Sequence, residues 1–493
     1  MFLLIGGILF LLAGYFTYGR LVDRIVSPDE SRPTPAVATP DGVDFVPLPK
    51  CKNMMIQLLN IAGTGPVIGV ILGIKFGRVA FAIIPVGCVL MGAVHDYVTG
   101  MMSVRMGGAN LPKILTKMLG RGYATVFSWA MVFLLLLCVT VFINVPAAII
   151  DRSWLPGVAF FWPAVGIIFL YYVVATVFPI DKIIGRIYPL FSIMLLVGTG
   201  AVLVSLLYRC GFGGQAWILE ESAAFVKYHD EVFAANGRSP FFPLLFVTIS
   251  CGIISGFHAT QSPIVARTIR SEREARATFY GMMIGEGIIA MIWASAALAM
   301  YNINPENLNL AAPVVLGNAA VELLGKWMGG AAVFAVVVLA VTSGDTALRS
   351  ARLSLSEMVG IGQTQLWKRI AVCLPLAAIV SGFIWWSSLS PRSFNHVWNY
   401  FAWGNQFVAA TTLMSATVWL LREGKGAKCL VTLIPGLFMS TVVVSFILWT
   451  SSDKGQPWGL VPGGLPLGLS IVIGGAVALL FSLYVRHRGK TKI

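Results

Sequence analysis

The stretch NIAGTGPVIG, Asn60 to Gly69, decides how this chain is read. It lies inside an apolar run, residues 54–76, long enough to cross a bilayer. Yet three glycines, a threonine and a proline fall between Gly63 and Gly69. A helix in lipid must satisfy its own backbone groups, so such a run ought to be continuous. The sequence therefore predicts a span broken in its middle.

A second run repeats the pattern. PFFPLLFVTISCGIISGFHATQSPIVART, residues 240–268, is apolar at its start but holds a glycine, a histidine, a glutamine and a proline between Ser255 and Pro263. The two runs stand five spans apart, so they cross in opposite directions. Paired interruptions in two halves of a chain point to an inverted repeat with a binding site at the midplane. A broken helix frees N–H and C=O groups that a ligand, an ion or water must satisfy. The new half-helix N-terminus suits a carboxylate. The structural alternative is a Gly/Pro kink that lets helices pack closely.

Composition places both runs in a membrane. Of 493 residues 57% are hydrophobic and 11% charged, against about 25% charged in soluble domains. The net charge of +14 sits in short loops and not in patches, which excludes nucleic acid as a partner and leaves membrane lipid and a small molecule. Seven cysteines, among them Cys88, Cys138, Cys251 and Cys373 inside spans, show no metal spacing; no metal or cofactor is expected. FLLIGGILFLLAGYFTYG at the N-terminus lacks a basic leader and a cleavage site and reads as a retained span.

The expected fold is an all-α polytopic membrane protein with about 13 transmembrane helices. It carries a leucine-transporter-like 5+5 inverted repeat, with discontinuous helices near 60–69 and 252–263. An extra helix (1–25) and a Pro-rich cytoplasmic loop (26–53) precede the first repeat (54–208). An extracytoplasmic loop (209–240), the second repeat (241–421) and two C-terminal helices with a basic tail (422–493) follow. Alternate loops hold 26 of the 35 Lys and Arg residues, which puts the N-terminus outside and the C-terminus in the cytoplasm. Residues 302–328 are too apolar for a solvated loop. They read either as a hairpin dipping towards a vestibule or as packing against the spans.

Few ionisable or amide side chains lie at membrane depth, and each is a functional candidate because burying it is costly. They are His95 and Asp96, His258, Glu286, Asp345 with Arg349 one turn on, and Asn405 with Gln406. The structural alternatives are an ion pair for Asp345 and Arg349, pairing within the bundle for Asp96, and capping of a broken helix for Glu286. The backbone of Gly63, Thr64 and Gly65 and of Ser255, Gly256 and Phe257, with His258 as a donor, is the candidate substrate site. Gln261, Asn405 and Gln406 are expected to read its polar groups. Asp96, Glu286 and Asp345 are the proton-coupling candidates. Thr64, Thr342 and Ser343 offer oxygens for sodium instead.

Several blocks resemble the carbon-starvation protein A (CstA) family. They are IAGTGP (61–66), GAVHDY (92–97), PLLFVTISCGIISGFHATQSP (243–263), FYGMMIGEG (279–287), DTALRSAR (345–352) and GNQFVAA (404–410), in the family's order. The resemblance implies an inner-membrane transporter of the amino acid–polyamine–organocation superfamily, linked to uptake of peptides and of pyruvate, the latter by proton symport. Its matching polar positions are Asp96, His258, Glu286, Asp345, Asn405 and Gln406. The chain lacks the large insertions of long members, and reads HATQSP where they carry a serine- and glycine-rich continuation.

The expectation is thus a non-enzymatic, proton-coupled secondary transporter of the bacterial inner membrane. Its substrate is a pyruvate-like carboxylate, an amino acid or a short peptide, with sodium as the alternative coupling ion. Two other classes compete. A nutrient sensor would need a signalling domain. Gly344–Asp345 with Asp96 is similar to an intramembrane aspartyl protease, but the motif reads TSGD and not GxGD. With no nucleotide-binding motif, no ATP drive is expected.

Overall fold

The computed structural model describes residues 1–42, 44–63, 65–151, 159–177, 180–231, 239–454 and 456–491. All regular elements among them are helical. Among the described residues nine helices are long and apolar enough to cross a membrane, or ten when the bent pair Lys50–Ile61 and Gly65–Phe76 counts as one span. Three further expected positions hold helices that fall short of that measure for local reasons. Phe161–Val177 has 17 residues. The segment 241–266 is divided. Pro391–Arg422 is rich in polar residues, including His396, Asn399, Asn405 and Gln406.

Both predicted interruptions are present. The halves Lys50–Ile61 and Gly65–Phe76 meet at 55°; Thr64 lies outside the described residues. In the second, the turn Ser250–Ile253 stops at Ile254 (φ −169°, ψ 139°). Ser255 is also extended (φ −134°, ψ 123°), and the helix resumes over Gly256–Ala266. This break is narrower than the expected 252–263. Pro263 lies inside the resumed helix, where it removes one backbone donor without ending the element.

The glycines of the opening stretch have a packing reason. A Cβ on Gly65 would lie 2.2 Å from Cys251 Cβ, one on Gly69 2.9 Å from Thr248 O, and one on Gly73 2.0 Å from Ile249 Cγ2. Gly65, Gly69 and Gly73 thus make one bare stripe at four-residue spacing. It seats the second half of the first broken helix directly on the first half of the second. The packing alternative therefore holds for this stripe, while the break itself lies just before it.

The helix ends sort into two faces, as the charge alternation requires. On the basic face Arg105 pairs with Glu272 (2.9 Å) and Glu423 (3.7 Å). Arg422 donates to Lys117 O and Arg488 O. The Pro-rich segment is tied to the same face: Thr34 Oγ donates to Ile269 O, and Leu48 N–H to Thr268 O. On the opposite face Arg78 pairs with Glu221 (3.5 Å) and Arg209 with Glu322 (3.4 Å). There the 302–328 segment forms a hairpin. A 3-10 turn, Pro305–Asn309, leads into a helix that breaks at Gly325 (φ 77°). A Cβ on Gly329 would lie 2.6 Å from Ala320 O, so the two arms are in contact.

Candidate functional site

The second break is held by one dipeptide. Asn405 Oδ1 accepts from Phe257 N–H (2.7 Å) and from the Ser255 hydroxyl (3.0 Å). Gln406 Nε2 donates to Phe246 O (3.3 Å) and Ile254 O (3.4 Å). Asn405 and Gln406, expected to read a substrate, therefore supply the groups that the interrupted backbone needs. Gly256 is a close-approach position. Its Cβ would lie 2.2 Å from Asn405 O, so only glycine lets the resumed helix touch Pro391–Arg422. At the first break the Ser343 hydroxyl donates to Leu59 O (3.0 Å), while that of Thr342 turns back to Leu339 O in its own helix (3.0 Å).

A charged cluster lies one turn past the second break. Asp96 bridges two imidazoles: His95 Nδ1 is 2.8 Å from Oδ1, and His258 Nδ1 is 2.8 Å from Oδ2. His258 Nε2 then lies 3.5 Å from Glu286 Oε2, beyond good hydrogen-bond range. All four side chains are fully buried. His258 thus faces two carboxylates, one on each ring nitrogen. With Asp96 ionised, both Nδ1 atoms are N–H donors. The variable proton then belongs to His258 Nε2 or to Glu286, whose oxygens have no hydrogen-bond partner.

Asp345 belongs to a second centre. Its Oδ2 accepts from the Tyr171 hydroxyl (2.6 Å), and Arg349 donates to Ala175 O. Asp96 and Asp345 are held by different partners, and the described contacts do not join them as a protease dyad would need. Gln261 Nε2 donates to Ser350 Oγ (3.1 Å) and Thr260 Oγ (3.2 Å). Among the described residues no His, Cys, Asp and Glu group has metal-ligand geometry.

The space at the second break is small. A cavity of about 20 Å³ lies between Cys138, Gly256, Phe257 and Asn405, room for about one water. Phe142 closes the breaks to each other. Its ring is 5.8 Å from Phe257 and 5.7 Å from Phe401, and a Cβ on Gly63 would meet it at 2.8 Å. The aromatic series continues edge-to-face to Trp398 and, through a tilted contact, to Phe394. It ends at a cavity of about 640 Å³ on the less basic face.

Sequence reasoning missed several of these groups. His95 stands among the buried candidates without a role of its own in the sequence. Phe142, Tyr171 and Phe401 gave no signal, since aromatic residues in spans are ordinary. Gln57 and Asn60 could have been found as amides in an apolar run. Both are fully buried, in the turns before the first break, and neither amide has a hydrogen-bond partner among the described residues. Buried polar groups are nearly always satisfied, so water or a ligand is the natural complement.

The family described as Carbon starvation protein CstA matches residues 1–165, 159–329 and 322–445. The chain belongs to this family. An uncharacterized membrane protein of Haemophilus influenzae is 40% identical over 342 residues, covering 60% of this chain and 90% of its own. The peptide transporter CstA of Campylobacter jejuni is 24% identical over 89% of this chain and 78% of its own. That of Escherichia coli is 24% identical over 88% and 79%. Among solved structures, a mutant of the Eremococcus coleocola manganese transporter superposes with a TM-score of 0.54 at 12% identity, over 92% of this chain and 99% of that one. The chain is therefore a multi-pass helical membrane protein with a transporter fold.

Proposed function

We propose that this CstA-family chain is a secondary active symporter that takes up a small carbon or nitrogen source across a bacterial inner membrane by alternating access. In this reading 13 segments cross, with the N-terminus outside and the basic face in the cytoplasm. Residues 54–208 and 241–421 form a leucine-transporter-like inverted repeat. The two breaks, joined at the Gly65–Gly73 stripe, are the moving centre. The substrate lies between Gly63–Gly65 and Ser255–Phe257, carboxylate towards the N-terminus of Gly256–Ala266.

One observation supports the coupling: Asp96, His95 and Glu286, from two other helices, form a single buried cluster around His258 on the helix that resumes after the break. Protonation of Glu286 or His258 changes the net charge next to that helix, which links proton occupancy to its position. The Ser343 oxygen beside the first break, with Thr342 next to it in sequence, supports sodium as the alternative ion.

The test is uptake of labelled pyruvate, alanine and dialanine into proteoliposomes, with an inward proton gradient and sodium absent. Accumulation that a protonophore collapses is expected for at least one probe. Glu286→Gln and Asp96→Asn should abolish gradient-driven accumulation while leaving exchange of internal for external substrate. Accumulation that needs sodium and ignores the proton gradient would replace the proton by sodium. No flux in either condition would refute the transport reading.

A further inference from the structure

Pro146 lies inside the helix Arg121–Ile149. Proline has no N–H, so it deprives the carbonyl four residues back, that of Phe142, of its helical donor, and its ring presses on that oxygen. Phe142 is the residue whose ring stands between the two breaks, 5.8 Å from Phe257 and 5.7 Å from Phe401. One proline therefore frees the backbone at the residue that closes the path. A carbonyl in a dry interior is nearly always met by a donor.

The donor comes from another helix. The Tyr172 hydroxyl, on Phe161–Val177, donates to Phe142 O at 2.8 Å. The whole side chain is buried. The same hydroxyl lies 3.3 Å from Ala340 O, on a third helix, Ala312–Val359. A phenol has one proton, and the shorter distance assigns it to Phe142 O. Ala340 O remains a second acceptor within reach. When Phe142 withdraws, the hydroxyl keeps a partner and a single carbonyl goes unmet.

The third helix sets where the phenol sits. A Cβ on Gly344 would lie 2.0 Å from the Tyr172 hydroxyl oxygen, so the phenol fits only against a bare position. The neighbouring hydroxyl, that of Tyr171, donates to the neighbouring carboxylate, Asp345 Oδ2, at 2.6 Å. Tyr171–Tyr172 thus seats on Gly344–Asp345 residue against residue, which fixes its height along the helix that carries Phe142.

We propose that Tyr172 is the positioning residue of a Phe142 gate: its hydroxyl, bound to the carbonyl that Pro146 frees, holds the Phe142 ring between Phe257 and Phe401, and loss of that bond lets the ring leave. The inference deepens the transport reading. It rests on that reading for why the path must open, and not for how the path is held shut.

The experiment reads access to the second break without flux. Thr260 lines the small cavity beside Phe257. Thr260→Cys is made in a Cys51→Ser background, since Cys51 is the exposed native thiol. Its reaction with a charged maleimide is timed on the intact chain in detergent. The same background without Thr260→Cys corrects for buried native thiols such as Cys138, which lines the same cavity. Tyr172→Phe removes one oxygen and keeps the ring, and should raise the labelling rate several-fold. Pro146→Ala returns an N–H to the fourth residue after Phe142, so in that background Tyr172→Phe should no longer raise the rate. A loss of packing around Tyr172 would not be rescued by an alanine on a different helix.

A rate that Tyr172→Phe leaves unchanged, or raises equally with and without Pro146→Ala, would overturn the assignment. Should Tyr172→Phe alone fail to fold, recovery of folded protein by adding Pro146→Ala is the same rescue, and its failure overturns the assignment too. Rescue without uptake of any probe in proteoliposomes would keep the Tyr172 assignment and refute transport. Uptake without rescue would do the reverse.

Discussion

Replacing Asn405 by leucine tests what keeps the second break open. Leucine has similar volume but no acceptor. Phe257 N–H, now 2.7 Å from Oδ1, and the Ser255 hydroxyl, now at 3.0 Å, would both lose it. Ser255 can rotate its proton elsewhere; the Phe257 N–H is fixed by the extended backbone before it. An unsatisfied buried donor costs about 1–3 kcal/mol, so the pair should cost about 2–4 kcal/mol. Asn405→Asp keeps an acceptor for both donors and places it at the N-terminus of Gly256–Ala266, where negative charge is favoured by about 0.3–2 kcal/mol. Its penalty should be half that of leucine or less. Reversible unfolding in mixed micelles, followed by tryptophan fluorescence, measures both. A leucine variant within about 0.5 kcal/mol of wild type, the range of a neutral substitution, would show that the break does not depend on this amide. An aspartate variant as damaging as leucine would show that the side chain acts by shape and not as an acceptor.

Gly73→Ala should destabilise by about 1–3 kcal/mol, because its Cβ would lie 2.0 Å from Ile249 Cγ2. Adding Ile249→Ala should return part of that loss, a coupling readable in a double-mutant cycle. Arg105→Ala leaves Glu272, whose side chain is 2% exposed, without its guanidinium. The expected cost is about 3–5 kcal/mol, and Arg105→Ala with Glu272→Ala should cost less than Arg105→Ala alone. Phe142→Ala should open the aromatic series between Phe257 and Phe401. A reporter cysteine at Thr260 should then react faster with a water-soluble reagent added from the less basic face, and an unchanged rate would show that Phe142 does not close that path.

The sequence by itself determined the membrane class, the positions of both breaks, the alternation of faces and the family. These are properties of local composition and period. A polar break inside an apolar run is visible because lipid forbids it. Basic loops are visible because they need no partner to be counted. Asp96, His258 and Glu286 were legible as costly residues, yet their union was not, since they stand on three helices far apart in the chain. Tertiary structure alone decided that Asp96 bridges His95 and His258 while Asp345 turns to Tyr171. It also decided that Asn405 and Gln406 serve the break, and that Tyr172 meets the carbonyl of Phe142. The physical reason is shared: a polar side chain's role depends on which donor or acceptor meets it in a dry interior, and only the packing of distant helices sets that partner.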